Sequence, residues 1–389
     1  MDKLFEKILA AVVLAAAVIV AGGTVLLRTT AEPAKPPLET MPAGPSVTAE
    51  PTPPPDGTPV PTQTPEQTPE PTPDPTPTPE PEYYLMHFVG DCTLDSVDWV
   101  SDGYQAVVKT DYAYPFAKTV QYFENDDFTF ANLEVSLTES NAAVADKQFV
   151  FKAPPAYAQI MTAGGVEFVS LANNHVLDYG QQGYADTKAA VEAAGLAYAG
   201  RDEWTIYELE RGLRIGVYAG SFVSVDKIKA GVTAVKEAGA DFVIAALHWG
   251  DEGSYQVNAD QIAQGHAAVD AGADFVYGSH PHTLQPIEEY KGVYITYSMG
   301  NWSFGGNNNP RDKDTLILEM VVAQQADGTV TVEEFTVIPC ACSGLENSNN
   351  YQPVPYEEGS EAYQRTLSKL DGTFTGQNLT INYGYGANE

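Results

Sequence analysis

One short pattern occurs three times in this chain, and it restricts the fold more than any other feature. Residues 163–175 read Ala-Gly-Gly-Val-Glu-Phe-Val-Ser-Leu-Ala-Asn-Asn-His, residues 238–248 read Ala-Gly-Ala-Asp-Phe-Val-Ile-Ala-Ala-Leu-His, and residues 271–280 read Ala-Gly-Ala-Asp-Phe-Val-Tyr-Gly-Ser-His. A glycine after a helical stretch is a C-cap signal. The apolar run that follows reads as a short strand buried on both faces. Helical patterns at Asp186–Ala194 and Asn258–Ala271 separate the copies. Strand and helix in alternation predict an α/β fold with a parallel or mixed sheet and right-handed crossovers. Ligands of such sheets bind beyond the carboxyl ends of the strands, and each copy delivers a histidine there.

Other strands point to the same edge. Tyr84–Gly90 ends at Asp91, Asp127–Leu133 ends at Glu134, and Val293–Ser298 leads into Met299-Gly300-Asn301. Asp314–Val322 and Thr329–Ile338 read as an antiparallel pair with a turn at Asp327-Gly328. A short helix is expected at Ser360–Leu370. From Thr373 to Glu389 the expectation is disorder or an edge strand with no chemical signal.

Before Tyr83 the chain has a different character. Ile8–Leu27 carries no charge, and 20 helical residues reach about 30 Å, the thickness of a hydrocarbon core. Lys3 and Lys7 precede this run and Arg28 follows it, an asymmetry that favours a cytoplasmic N-terminus, softened by Lys35. An uncleaved anchor is the expectation; cleavage near Ala15, Ala17 or Ala21 is the alternative. Residues 31–82 hold 19 of the 28 prolines, so this stretch builds no core and favours an extended polyproline conformation. The expected order is therefore a stub (1–7), a transmembrane anchor (8–27), a Pro/Thr/Glu-rich disordered stalk (28–82), a folded domain (83–375) and a tail (376–389). The expected location is the cell membrane, single-pass, with the domain on the extracytoplasmic side.

Removing the 11 acidic and four basic residues before Tyr83 from totals of 52 and 20 leaves a formal charge of −25 on the rest. No basic surface is available to displace counterions from nucleic acid, which excludes it as a partner. Cys92, Cys340 and Cys342 form no disulfide framework. The latter two read as ordinary thiols, and Cys92 should point away from Asp91.

Of six histidines, His175, His248, His280 and His282 fall at the strand-end turns. His87 lies within a strand and His266 within a helix, both as packing or surface residues. Four imidazoles with Asp91, Glu134 and Asn174 make a mixed nitrogen and oxygen donor set suited to zinc, manganese or iron. Pro281 stiffens the His280–His282 turn.

The strings Gly90-Asp91, Asn132-Leu-Glu134, Ala172–Gly180 (Ala-Asn-Asn-His-Val-Leu-Asp-Tyr-Gly), His248-Trp-Gly250, Gly278-Ser-His-Pro-His282 and Tyr297-Ser-Met-Gly-Asn301 stand in one order. Together they resemble the CapA family of capsule (poly-γ-glutamate) synthesis proteins, a branch of the calcineurin-like metallophosphoesterases. The resemblance covers about Leu85 to Leu370 and implies a four-layer αββα sandwich of two mixed sheets with helices outside. It implies that Asn174, His248 and His280 serve one metal, Asp91 and His282 another, with Glu134 between them. His175 would protonate a leaving oxygen or stabilise its charge. Thr93 departs from the pattern, standing where the superfamily has a histidine, and Glu134 replaces an aspartate.

The chemistry implied is divalent-metal phosphoester or related hydrolysis; the other reading is a non-catalytic component that binds the capsule polymer through its metals. Partners on either reading are the anionic polymer and membrane synthase subunits. Four further residues belong to the candidate set. Asp178, with Tyr179, either orients His175 or caps the next helix. Glu252 either orients a ligand, meets substrate or stays on the surface. Asn301 lies at a strand end beside the site, and Lys152 is a cation suited to an anionic group.

Overall fold

The computed structural model describes residues 80–380 apart from 98, 99, 101, 102 and 146. The anchor Ile8–Leu27 and the stalk as far as residue 79 fall outside these residues, and Glu82, expected at the end of the stalk, begins the first strand. Among the described residues no helix is long and apolar enough to cross a membrane.

Sixteen strands occur in the described chain: β1 (Glu82–Thr93), β2 (Phe128–Leu133), β3 (Ser136–Leu137), β4 (Lys152–Ala153), β5 (Phe168–Ser170), β6 (Ala197–Ala199), β7 (Glu203–Glu208), β8 (Arg214–Ser221), β9 (Phe242–His248), β10 (Phe275–Ser279), β11 (Ile287–Tyr290), β12 (Val293–Thr296), β13 (Asn301–Phe304), β14 (Asp314–Gln324), β15 (Val330–Ala341) and β16 (Val354–Pro355). One sheet runs β16-β15-β14-β1-β2-β5-β6, with β13 beside the end of β1; the other runs β11-β12-β10-β9-β8-β7. Both sheets are mixed. β1, β2, β5 and β6 pair in parallel while β14 and β15 are antiparallel. β8, β9, β10 and β12 are parallel, flanked by antiparallel β7 and β11.

The period-2 alternation of strand side chains explains why the sheets stack. Tyr84, Met86 and Phe88 of β1 share one buried cluster with Ile215 and Val217 of β8, Phe242 and Ile244 of β9, and Phe275 and Tyr277 of β10. Phe88 meets Phe275 at 4.7 Å between ring centroids and Phe130 meets Tyr277 at 4.8 Å. Burying each such ring contributes about 1.5–3 kcal/mol. The alternate residues face outward beneath helices. Val243, Ala245 and Leu247 pack with Ile228, Val232 and Ala268, which lie on Val225–Glu237 and Ala259–Ala271. Ala131, Leu133 and Val169 pack with Ile160, Met161 and Val191 on the other flank.

Local signals set the helix ends. Asn258 forms a capping box with Gln261, and Gly272 closes the same helix at φ 106°. Ser360 caps Glu361–Leu370, accepting from the Tyr363 amide at 3.2 Å. The helix expected from Asp186 begins earlier, at Gly180; two glycines in its first turn hide it from propensity. The β7–β8 hairpin, absent from the expectations above, supplies the edge of the second sheet.

The tail departs from expectation as far as it is described. Residues 372–380 are irregular, yet they form no edge strand and are pinned. The Leu379 amide donates to the Gly253 carbonyl at 2.8 Å, Asn378 accepts from the Tyr255 amide at 3.0 Å, and Phe374 packs on Tyr255.

Candidate metal centre

The centre lies where the carboxyl ends of β1, β2, β9 and β10 converge. Asp91 sits at a register irregularity of β1, opposite Asn132 on one side and Asn301 on the other. The glycine before it is required by proximity: a Cβ on Gly90 would lie 2.0 Å from the Gly300 carbonyl oxygen. That approach lets the Asp91 amide donate to the same carbonyl at 2.9 Å. Asn132 Nδ2 then donates to Asp91 Oδ1 at 2.8 Å and to Glu134 Oε2 at 3.2 Å. Asn173 in turn donates to Asn132 Oδ1 at 3.2 Å and to the Leu133 carbonyl at 2.8 Å, and accepts from the amides of His175 and Val176. A chain of amides thus fixes both carboxylates and the His175 loop.

The imidazoles arrive from the second sheet. His248 ends β9, with Nδ1 2.9 Å from Ser279 Oγ and Nε2 2.9 Å from Asn174 Oδ1. His280 and His282 both have positive φ, 98° and 56°. Such backbone is costly for a non-glycine residue and concentrates at functional sites. His282 Nδ1 is 2.8 Å from Asn301 Oδ1 and 3.4 Å from Asp91 Oδ2.

What separates these groups decides their use. Glu134 is fully buried, and its Oε1 has no hydrogen-bond partner. It faces His248 Nε2 at 3.6 Å and His282 Nε2 at 4.0 Å. These gaps exceed a hydrogen bond. They match the roughly 3–4 Å between two ligands that each bind one ion at about 2.0–2.2 Å. Glu134, His248 and His280 form one set with ligand atoms within 4.8 Å of each other, and Asp91, Glu134 and His282 form another. The residues present fit divalent cations.

Electrostatics agree with that fit. Burial, reinforced by Asp91, pushes the Glu134 carboxyl well above its usual range. Burial disfavours charge on His282, but Glu134 and Asp91 outweigh it and hold its pKa up at about 10. Burial, with the neighbouring imidazoles, pushes His248 and His280 well below the usual value. His248 and His280 are thus held neutral, as metal ligands must be, while a bound cation would displace the proton that Glu134 and His282 retain.

His175 lies beside this cluster. Its Nδ1 is 2.7 Å from Asp178 Oδ2, which also accepts from the Phe151 amide at 2.7 Å. Lys147 reaches the Asn174 carbonyl at 2.7 Å, His175 Nδ1 at 3.1 Å and the other oxygen of Asp178. Burial lowers the His175 pKa although Asp178 opposes the shift. Asp178 therefore faces His175, while the cap position of the next helix falls to Tyr179, which makes no capping bond.

A cleft of about 150 Å³ opens over the centre, lined by Glu134, His175, Glu252, His282, Asn301 and Thr93, with Phe149, Phe151 and Phe304 around them. Lys152 is not part of this lining. Its ammonium is held by the Ser140 carbonyl and Asn141 Oδ1, at 3.0 and 2.9 Å. The cation that reaches His175 is Lys147, five residues earlier, on a loop without periodicity to reveal it. Arg311 and Leu379 also line the cleft, and neither carries a sequence signal. Cys92 is buried on the far side of β1 among apolar residues. His87 bridges Asp126 and Glu319 at 2.7 and 3.3 Å, and His266 stacks on Tyr290 at 3.7 Å.

The sequence profile of the family described as bacterial capsule synthesis protein PGA_cap matches residues 86–305. The chain is similar to the capsule biosynthesis protein CapA of Bacillus anthracis, 30% identical over 239 residues, which cover 53% of this chain and 57% of that protein. It resembles the PGA biosynthesis protein CapA of Bacillus subtilis at 28% identity, over 55% of this chain and 63% of that one. It also resembles a probable polyglutamine synthesis accessory protein of Mycobacterium tuberculosis at 28%, over 57% of this chain and 68% of that one. The chain thus spans little more than half the length of the Bacillus anthracis relative. The family match runs from the strand that carries Asp91 to the end of the strand that begins at Asn301. By this match, the chain belongs to the bacterial capsule synthesis protein PGA_cap family.

Proposed function

We propose that this protein acts in capsule or poly-γ-glutamate biosynthesis or export, as a membrane-anchored extracytoplasmic hydrolase with a divalent-metal centre. The observation that carries the proposal is Glu134 Oε1, a carboxylate oxygen sealed from solvent with no hydrogen-bond donor, facing two imidazoles across 3.6 and 4.0 Å. Asp91, Glu134, Asn174, His248, His280 and His282 hold one or two manganese, zinc or iron ions. Bound there, such ions lower the pKa of a water and polarise a phosphoryl or carbonyl oxygen.

The chain's own residues do the rest. Asn132 fixes both carboxylates, Ser279 orients His248, and Asn301 orients His282 through Nδ1. Asp178 receives the Nδ1 proton of His175, which leaves Nε2 to take a proton from water or return one to a leaving oxygen. The relatives' names support the capsule setting, and the charge-free run Ile8–Leu27 supports an anchor. Outside the membrane, the substrates within reach are lipid-linked phosphates, wall polymers and the isopeptide-linked capsule polymer.

The test is to purify the protein, add manganese and follow hydrolysis of an aryl phosphoester with and without His175→Ala. Metal-dependent turnover that His175→Ala abolishes while metal content stays constant is expected. Metal binding with no turnover on any phosphoester replaces the hydrolase with a polymer-binding component. Absence of bound metal in the wild type sinks the centre as drawn.

A further inference from the structure

The wider superfamily that the sequence resembles usually has a histidine two residues after the residue matched by Asp91, where this chain has Thr93. The Thr93 hydroxyl is buried without a hydrogen-bond partner and is too short to replace that ligand. A second ion would then rest on Asp91, Glu134 and His282 alone. We propose that Glu252 is a direct metal ligand of that second ion, standing beside His282 and within reach of His280, and takes the place of the missing imidazole.

This inference rests on the metal centre of the proposed function, and the geometry at Glu252 carries it further. Glu252 Oε1 stands 4.0 Å from His280 Nε2, again too far for a hydrogen bond and within the span of two ligands on one ion. Glu252, His280 and His282 form a set with ligand atoms all within 4.8 Å. His280 is more than nine-tenths buried and its Nδ1 has no partner. The carboxylate is positioned, not merely nearby. Gly250 and Gly253 flank it with φ of 81° and 73°, a tight turn that non-glycine residues rarely adopt. The Gly253 amide donates to the Pro281 carbonyl at 2.8 Å, and the Trp249 amide to the Ser279 carbonyl at 3.1 Å. The Glu252 turn is therefore tied to the His280–His282 turn by backbone.

Charge favours the same assignment. Two divalent ions over Asp91 and Glu134 leave two uncompensated positive charges in a largely buried site. A third carboxylate halves that excess, and ligand charge count sets cation affinity.

The experiment is equilibrium dialysis of the full chain against Mn²⁺ with elemental analysis, on wild type, Glu252→Ala and Glu252→Gln. The wild type is expected to hold two ions, and both variants one, with the second bound at least about tenfold more weakly. Glu252→Gln separates ligation from orientation, because the amide keeps size and hydrogen bonding but, without the charge, is a weaker ligand than a carboxylate. A Gln variant that holds both ions with wild-type affinity overturns the assignment, as does a wild type that holds one ion with Glu252→Gln unchanged. A wild type that holds none overturns the metal centre itself. An unchanged apo melting temperature shows that each variant is folded.

Discussion

Asp178 offers the sharpest quantitative test of how the site is built, independent of any substrate. Its side chain is 1% exposed, and one oxygen accepts from both the Phe151 amide and His175 Nδ1, each at 2.7 Å. Asp178→Ala leaves the buried Phe151 amide without an acceptor, at about 1–3 kcal/mol, and removes the hydrogen bond to His175, at about 0.5–1.5 kcal/mol, so the loss is about 1.5–4.5 kcal/mol. Water admitted to the void sets the lower end. The Lys147 side chain is 27% exposed and keeps its bond to the Asn174 carbonyl, so the ion pair it loses adds little. Asp178→Asn should cost less, about 1–2 kcal/mol, because an amide oxygen can still receive both donors. Urea denaturation without metal measures the difference.

The same substitution changes the proton on the ring. With Asp178 present, Nδ1 carries the hydrogen. With alanine the remaining neighbour of Nδ1 is Lys147, a donor at 3.1 Å, and the proton moves to Nε2. ¹⁵N-histidine NMR distinguishes the two tautomers. A loss below about 1 kcal/mol or an Nδ1 that stays protonated in Asp178→Ala would refute the reasoning.

Three further outcomes follow from buried charge. Glu134→Gln should leave the metal-free protein as stable as wild type or more so, because burial and Asp91 already disfavour ionisation of the Glu134 carboxyl, while metal no longer raises the melting temperature; a destabilised apo variant contradicts this. Burial opposes charge on His87, but Asp126 and Glu319 prevail and raise its pKa. Stability from that charge is full below the ordinary value of about 6.5 and falls as pH climbs through the raised one, so melting temperatures between pH 6 and 9 should decline in wild type and less steeply in His87→Gln. Lys369 joins Asp312 and Asp314 at 2.6 and 2.7 Å and is almost fully buried. Lys369→Met should cost about 3 kcal/mol in urea denaturation, near the low end for a broken buried pair, because Arg365 still binds Asp314 at 2.6 Å; a cost under about 1 kcal/mol argues against it.

The three-fold Ala-Gly-…-His pattern determined the parallel strands β5, β9 and β10 and the edge at which their histidines gather, because apolar runs and strand-end residues are local properties of the chain. Capping residues such as Asn258 and Ser360 determined helix starts for the same reason. The family resemblance, too, was legible from six ordered strings. The β7–β8 hairpin and the first turn of Gly180–Ala193 were not, since weak alternation and glycines conceal them until packing selects the structure. What only the tertiary structure decided is how groups remote in sequence face one another. Lys147, not Lys152, reaches His175 because the loop folds back from Ser136 to Phe151. Asn173 serves as scaffold while its neighbour Asn174 faces His248, a division that adjacent residues of one type cannot announce. Glu252 stands opposite His280 because backbone hydrogen bonds join two turns on neighbouring strands. Distances between side chains of different elements depend on how the sheets stack, and no local pattern carries that information.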